Sequence, residues 1–259
     1  MTVELLSHSH GKTMVLTISN PGQRNALGPE IYAAGIEALG AAEKGDEVRS
    51  VVITGAGGQF SAGGNLQRLL SNREQAPEVQ ARSIEGLHNW IECIRAFPKP
   101  VIAAVEGAAA GAGFSVALAC DLIVAAHNAM FVMAYSNIGL SPDGGATWHL
   151  ARALPRQIAS EILLLGGKID PARLQALGLI NQLSEPGSAL IDALALAERL
   201  NARAPNASAS VKELLNNAKQ ASLGQQLAVE RDHFVANLHH ANAGIGIAAF
   251  VARQPPDYL

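Results

Sequence analysis

The stretch Val101-Ile102-Ala103-Ala104-Val105-Glu106-Gly107-Ala108-Ala109-Ala110-Gly111-Ala112-Gly113 decides the fold, because an apolar strand runs directly into a loop of small residues. A second stretch repeats the pattern, with Val51-Val52-Ile53-Thr54 followed by Gly55-Ala56-Gly57-Gly58-Gln59-Phe60-Ser61-Ala62-Gly63-Gly64. Continuous apolar strands are typical of a sheet that is buried on both faces. Loops of small residues let a ligand approach bare backbone, whose N–H groups can hold a developing negative charge. The two loops together predict an oxyanion site with two donors, although tight turns beneath packed helices would give the same composition.

Composition restricts the class of protein. The 259 residues are long enough for one large domain, and a 49% hydrophobic, 16% charged chain can bury a large core. The formal net charge is −3 and aromatic residues make up 4%, so neither a basic surface nor a stacking platform for nucleic acid is expected. Cys93 and Cys120 lie in apolar segments and predict reduced core thiols, and no spacing of residues predicts a metal site.

The cellular location of the protein is predicted from its N-terminal residues and from the charges within its longest apolar stretch. Residues 1–10 lack a basic start followed by an apolar run, so no signal peptide is expected. Glu106 and Asp121 interrupt the apolar stretch 101–126, which predicts a buried strand–loop–helix passage and no membrane span. The sequence therefore predicts a cytoplasmic enzyme.

Strands and helices alternate in the first half of the chain, which predicts an α/β fold. The strand-like segments are Thr13–Ile18, Ser50–Thr54, Pro100–Val105, Asp121–Ala125 and Phe131–Tyr135. Beyond Tyr135 the patterns are helical. We expect a core over residues 1–200 and a helical region over 201–259, which is too small for its own core and should pack on the body or on another subunit. Residues 67–83 are predicted to form a loop that sets the depth of the pocket, and the stretch 71–77 within it is predicted to be mobile and polar.

One motif favours a hydrolase. Gly113-Phe114-Ser115-Val116-Ala117 differs by one residue from the G-x-S-x-G elbow that exposes a nucleophilic serine, and Asp143 and His149 follow in hydrolase order. An α/β-hydrolase triad is therefore a competing prediction.

Several segments, taken together and in order, resemble the crotonase (enoyl-CoA hydratase/isomerase) superfamily. They are Arg24-Asn25-Ala26-Leu27, Phe60-Ser61-Ala62-Gly63-Gly64-Asn65-Leu66, Pro100–Gly107, Cys120-Asp121-Leu122, Ile138-Gly139-Leu140-Ser141-Pro142-Asp143-Gly144-Gly145 and Gly246-Ile247-Ala248-Ala249-Phe250. The resemblance covers essentially the whole chain. It implies a spiral of repeated ββα units with a helical C-terminal trimerisation region, assembled as a homotrimer or as a hexamer of two trimers. It also implies an acyl-CoA thioester as substrate, with coenzyme A as part of that substrate and no separate cofactor.

The resemblance assigns the site residue by residue. The two N–H donors to the thioester oxygen correspond to Gly64 and Ala112, where the family usually has glycine at the second position. The backbone around Ala62 and Gly63 is expected beside the adenine end of coenzyme A, and Asn65 stands where the family usually has Asp. The full set implied to bind substrate or coenzyme A is Arg24, Ala26, Ala62, Gly63, Asn65, Leu66, His88, Gly111, Ser115 and Tyr135.

The reaction depends on acid–base groups rather than on the donors. The two glutamates of the usual hydratase correspond here to Ser115 and Tyr135, neither of which can act as a carboxylate base. Asp143 resembles the base of isomerases in this family, and one carboxylate suffices to remove a proton at C2 and return it at C4. A purely structural alternative is that Asp143 caps a helix that begins near Gly144.

Other reactions remain open at this point. His88 and Asp143 correspond to a histidine and a nucleophilic aspartate in the 4-chlorobenzoyl-CoA dehalogenases, although His88 could equally be an ordinary helix-face residue. The residues around Gly64 also resemble a branch acting on ring-derived, oxepin-type CoA thioesters, which keeps a hydratase or hydrolase possible. A member that binds acyl-CoA or RNA without catalysis is the alternative of another class.

Overall fold

A six-stranded sheet forms the centre of the computed structural model, which describes residues 3–259. Its strands, in spatial order, are β1 (Glu4–His10), β2 (Thr13–Ser19), β3 (Ser50–Gly55), β4 (Val101–Val105), β6 (Leu122–Ala126) and β9 (Gln182–Ser184). β1 and β2 are antiparallel, and every other neighbouring pair is parallel. The predicted α/β class is confirmed, and β1 and β9 are strands that the apolar pattern did not reveal.

A smaller sheet lies beside the second small-residue loop. It contains β5 (Ala108–Ala110), β7 (Met130–Val132) and β8 (Lys168–Ile169), with β5 parallel to β7 and β8 antiparallel to it. The predicted strand over 131–135 therefore ends early, because the chain turns into a short 3-10 helix, Ser136–Ile138, directly after Tyr135.

Eleven α-helices within residues 3–259 surround the sheets. They are α1 (Pro29–Lys44), α2 (Leu66–Arg73), α3 (Pro77–Ala96), α4 (Ala112–Ala119), α5 (Ala146–Ala153), α6 (Arg156–Leu165), α7 (Pro171–Ala176), α8 (Ala189–Asn201), α9 (Pro205–Ala218), α10 (Leu223–Leu238) and α11 (Ala241–Ala252). The prediction of a loop over 67–83 is wrong, because α2 and the start of α3 occupy most of it. The Asn65 side chain caps α2 by accepting from the Arg68 N–H at 3.0 Å, and Pro77 opens α3, a position where its missing N–H costs nothing.

The core has two layers because alternate residues of each buried strand face opposite sides of the sheet. Val51 and Ile53 belong to the large cluster on one side, which includes residues of α1, α3 and α4. Val52 and Ile102 face the other side and pack against the alanine stripe of α8. Ala193 and Ala197, four residues apart on one helix face, let α8 approach the sheet closely.

The last three helices present a large exposed apolar surface. Its most exposed members are Leu215, Leu223, Phe234, Phe250 and Val251. Phe250 is 86% exposed, which is far more than a large aromatic side chain usually shows on a monomer. Within residues 3–259 no single helix is long and apolar enough to span a membrane, and α10 and α11 pass that test only when joined across a 78° bend.

Candidate functional site

A cavity of about 620 Å³ opens at the ends of the two small-residue loops. All three predicted catalytic residues, Gly64, Ala112 and Asp143, line it. Of the residues predicted to bind substrate, the cavity is lined by Ala62, Leu66, His88, Gly111 and Tyr135, and it is not lined by Arg24, Ala26, Gly63, Asn65 or Ser115. The tertiary structure thus brings together four separate segments of the chain.

The first donor loop (residues 60–64) is held between two other backbone segments. On one side, the Ser61 N–H donates to the Ala108 carbonyl at 2.8 Å and the Ala110 N–H donates to the Ser61 carbonyl at 2.9 Å. On the other side, the Leu27 N–H donates to the Gly63 carbonyl at 2.7 Å, and the Ala62 N–H to the Arg24 carbonyl. These tertiary hydrogen bonds fix a loop that has no regular secondary structure of its own.

Arg24 supports the first donor loop through its backbone, and Ala26 lies outside the cavity lining. Arg24 has a positive φ of 51°, an exposed side chain, and a carbonyl that holds Ala62. Ala26 is buried beneath the loop. Asn65, where the family usually has Asp, caps α2. The contact of these residues with coenzyme A stays a prediction.

Gly63 is required where the two loops meet. Its φ is +84°, and a Cβ at this position would lie 2.4 Å from the Ala110 carbonyl oxygen and 3.2 Å from the Ala112 nitrogen. Any side chain would push the two loops apart. Glycine here lets the backbones of Gly64 and Ala112 approach one another.

The second donor segment (residues 111–113) opens the buried helix α4. Gly111 adopts φ 50° and ψ −121°, and its N–H donates to the Val132 carbonyl at 2.9 Å. Ala112 is then the first helical residue, where backbone N–H groups lack an intrahelical acceptor. Across residues 3–259 neither the Gly64 N–H nor the Ala112 N–H donates to a protein acceptor. Both are free to bind an oxygen in the cavity.

Asp143 is held by Tyr135. The Tyr135 hydroxyl donates to Asp143 Oδ1 at 2.5 Å, and the Tyr135 ring carbon Cζ lies 3.5 Å from where a Gly111 Cβ would stand. Burial, followed by the negative charge of Asp143, raises the pKa of Tyr135 well above its usual range, so the hydroxyl stays a proton donor. One tyrosine ring thus links Asp143 to the segment that carries the second donor.

The helix-capping alternative for Asp143 is not realised. The N-cap of α5 is Gly145, and no side chain caps this helix. The Ala146 N–H donates to the backbone carbonyl of Asp143 and not to its carboxylate. The side chain of Asp143 is half-buried and lines the cavity.

Ser115 does not form a nucleophile elbow. Its side chain is fully buried in α4, outside the cavity, and its hydroxyl donates to the Asp143 carbonyl at 3.1 Å. His149 lies in a different cavity, beside Trp148 and Arg152. Burial, with Arg95 as the next cause, lowers the pKa of His149 to about 4, which makes it a poor base at neutral pH. The predicted alternative of a hydrolase triad is not supported by this geometry.

His88 projects from α3 into the cavity. The Gly144 N–H donates to its Nε2 at 3.4 Å, so Nε2 acts as an acceptor and the ring proton belongs on Nδ1. The imidazole therefore supports the backbone beside Asp143.

Sequence reasoning missed Tyr32, Arg68 and Gln80, which also line the cavity. Arg68 and Gln80 lie in the segment that was predicted as a loop. The signal was available: Asn65 followed by Leu66, Leu69 and Leu70 has a cap and helical spacing, which would have placed Arg68 on a short helix.

Comparisons with known proteins show the family of this chain. The model of the enoyl-CoA hydratase/isomerase family matches residues 9–259. The chain is 35% identical to 1,2-epoxyphenylacetyl-CoA isomerase of Escherichia coli K12, covering 98% of this chain and 97% of the relative. It is 31% identical to 2,3-dehydroadipyl-CoA hydratase of the same organism, covering 98% of each. The crystal structure of an enoyl-CoA hydratase from Polaromonas sp. JS666 superposes with a TM-score of 0.98 at 66% identity, covering 99% of this chain and 100% of that one. The chain belongs to the enoyl-CoA hydratase/isomerase family, within the crotonase superfamily.

Proposed function

We propose that this enzyme transfers a proton on an unsaturated acyl-CoA, with Asp143 as the general base. The observation that carries the proposal is the pairing of Asp143 with Tyr135 in a cavity that also holds two free N–H groups. The thioester oxygen accepts from Gly64 and Ala112, so that the negative charge of the enolate is stabilised as it forms. Asp143 removes the proton at C2 and returns it at C4, giving isomerisation of the double bond.

The Tyr135 hydroxyl donates a hydrogen bond to one of the two carboxylate oxygens of Asp143, the proposed base. With Oδ1 accepting from the tyrosine hydroxyl, Oδ2 is the oxygen available to the substrate proton. A fixed carboxylate also avoids the loss of side-chain freedom during the reaction. Tyr135 therefore acts as a positioning residue in this proposal.

The cavity favours isomerisation over the usual hydration because it offers one carboxylate. Asp143 is the single Asp or Glu among the cavity-lining residues that the structure describes. The two positions where the usual hydratase has glutamate hold Ser115, which is buried away from the cavity, and Tyr135, which is not a carboxylate. The resemblance to 1,2-epoxyphenylacetyl-CoA isomerase also supports an isomerase.

Hydration or hydrolysis of a ring-derived or aromatic acyl-CoA is the second candidate. It is supported by the similarity to proteins named as hydratases and by His88 beside Asp143. Incorporation of labelled water oxygen into the product would favour this candidate, whereas label-free product with exchange at C2 favours the isomerase.

Asp143→Asn tests the base, because the amide keeps the shape but cannot accept the proton. We expect turnover of every unsaturated acyl-CoA used by the wild type to fall by about 10²–10⁴-fold, while binding of a saturated acyl-CoA is kept. Full turnover in this variant would contradict the proposal. A wild type that binds acyl-CoA but catalyses neither isomerisation, hydration nor hydrolysis would favour the inactive binding protein.

We further propose that the exposed apolar surface of α9–α11 is covered by other copies of this chain, as a trimer or as two trimers. Exposed side chains such as Leu223 and Phe250 support a protein partner. Sedimentation should give a mass three or six times that of the 26.9 kDa chain. A monomer in dilute solution would contradict this.

A further inference from the structure

Arg68 places a positive charge at the wall of the cavity. It lies in the first turn of α2, where its Nη2 donates to the Leu27 carbonyl at 3.1 Å. Its Nη1 packs against Gly28, 2.5 Å from where a Cβ would stand, so a side chain at 28 would displace the guanidinium. The glycine thus leaves room for the charged group.

The guanidinium of Arg68 has N–H groups that donate to no acceptor in the part of the chain that the structure describes. Its Nε is buried and has no hydrogen-bond partner within the described residues 3–259. The lysine and arginine ion pairs in the same range belong to Arg173, Lys212 and Arg231, so Arg68 forms none. The Glu30 carboxylate also lies beside Gly28, with Oε2 2.9 Å from where a Cβ would stand, but it forms no ion pair with Arg68. A buried donor without an acceptor is costly unless a ligand supplies one.

The polar neighbours of Arg68 in the cavity are also donors. Burial raises the pKa of Tyr32 to about 12, with Arg68 opposing the shift, so the Tyr32 hydroxyl is protonated at neutral pH. Gln80 Oε1 already accepts from Asn72 at 2.7 Å, which leaves the Gln80 amide hydrogens to donate. A cation and two neutral donors together match an anionic acceptor.

The distance between the Arg68 guanidinium and the Gly64 N–H suits the length of an acyl chain. Leu27 and Gly64 are bridge partners, so their backbones run about 5 Å apart. The guanidinium on the Leu27 carbonyl therefore lies roughly 10 Å or less from the Gly64 N–H. The five carbon–carbon bonds of a six-carbon acyl chain span about 6 Å at about 1.2 Å per bond, and a hydrogen bond of about 3 Å at each end covers the remaining distance.

We infer that Arg68 selects acyl-CoA chains that carry a carboxylate at the end distal from the thioester, with Tyr32 and Gln80 as further donors to it. This inference rests on the proposed function, because it assumes that the acyl chain enters this cavity. The carboxylate would pair with the guanidinium through its free N–H groups. A hydrocarbon chain would instead leave the charge desolvated and unpaired.

The test compares two substrates of equal length, hexenedioyl-CoA and hexenoyl-CoA. We expect wild-type kcat/KM to be at least tenfold higher for hexenedioyl-CoA. Arg68→Met, which keeps the length of the stem, should remove this preference by lowering kcat/KM for hexenedioyl-CoA at least 30-fold, and Arg68→Lys should keep part of it. Arg73→Met removes an exposed charge from the same helix and should leave the ratio unchanged.

Binding of the unreactive adipoyl-CoA and hexanoyl-CoA, measured by calorimetry, gives the same comparison without turnover. A wild type that prefers the hydrocarbon chain in turnover and binding would overturn the inference. An equal loss for both chains in Arg68→Met would assign Arg68 to the coenzyme A portion and would also overturn it. Neither result affects the proposed function, which fails instead if Asp143→Asn is fully active on both substrates.

Discussion

The two N–H donors are the same chemical group, but the chain positions them by different means. Gly64 lies in an irregular loop that is fixed by hydrogen bonds to residues far away in sequence. Ala112 is the first residue of a buried helix, where the free N–H follows from local helical geometry. The first donor should therefore depend on tertiary contacts, and the second on whether its own nitrogen carries a hydrogen.

Gly63→Ala should produce the largest effect, because it disturbs both donors at once. The new methyl would lie 2.4 Å from the Ala110 carbonyl, and alanine is strained at φ +84°. Loss of one oxyanion donor costs about 10²–10³ in rate, so we expect kcat to fall by about 10³ or more. Steady-state kinetics and a thermal melt would measure both consequences.

The matched control for Gly63→Ala is Gly57→Ala. Gly57 has φ +65° in the same stretch, but a Cβ there meets open space. It should lower stability by about 1–2 kcal/mol and leave turnover near that of the wild type. Equal losses of turnover in the two variants would show that backbone strain, rather than the contact between the loops, explains the effect.

Ala112→Pro should remove the second donor alone. Proline is tolerated at the first helical position and has no N–H, so the fold should persist while kcat falls by about 10²–10³. Ala112→Gly retains the N–H and should remain active. If Ala112→Pro is fully active when its melting temperature matches the wild type, the Ala112 N–H is not an oxyanion donor.

The smallest effects should come from two buried serines, Ser61 in the first donor loop and Ser115 in α4, the helix that the second donor segment opens. The Ser61 hydroxyl donates to the Asn25 carbonyl at 2.8 Å and accepts from the Gly63 N–H at 3.1 Å, so it fixes the first donor loop twice. Ser61→Ala should cost about 1–3 kcal/mol of stability and about tenfold in kcat through a displaced loop. Unfolding in urea and kinetics at saturating substrate measure the two quantities.

Ser115→Ala should be milder. Its hydroxyl makes one well-formed hydrogen bond, to the Asp143 carbonyl, and α4 is held by its own helical bonds. We expect a loss of about 1 kcal/mol and turnover within about threefold of the wild type. Complete inactivation by Ser115→Ala would support the hydrolase triad instead. A milder effect of Ser61→Ala than of Ser115→Ala would contradict the conclusion that the first donor depends more on tertiary contacts than the second.

The fold was largely predictable where each strand is buried on both faces. β3 and β4 read as continuous apolar runs, and their bounds were found to within a residue. β1 was missed because its side chains are mostly exposed and polar, so that it contributes no such run. α2 was taken for a loop because it buries no residue of its own and leaves two leucines, Leu66 and Leu70, mostly exposed.

The candidate site was predictable as backbone more than as side chains. The two loops of small residues predicted two backbone donors, and the family resemblance assigned them to Gly64 and Ala112 and selected Asp143 as the base. No pattern in the sequence indicated that Tyr135 would bond to Asp143, because their side chains meet only after the chain turns through Ser136–Ile138.

The sequence by itself determined the strand-to-loop transitions and the free nitrogen at the start of α4, whereas Asp143 was selected by the family resemblance. The transitions and the free nitrogen follow from apolar runs and from loops of small residues, which act locally. Only the tertiary structure decided that Ser115 is buried, that His149 lies in another cavity, and that Arg68 lines the same cavity as Asp143 without forming an ion pair within the described residues. The reason is physical: burial, hydrogen-bond geometry and unpaired charge depend on which distant segments pack together, and local sequence does not specify this.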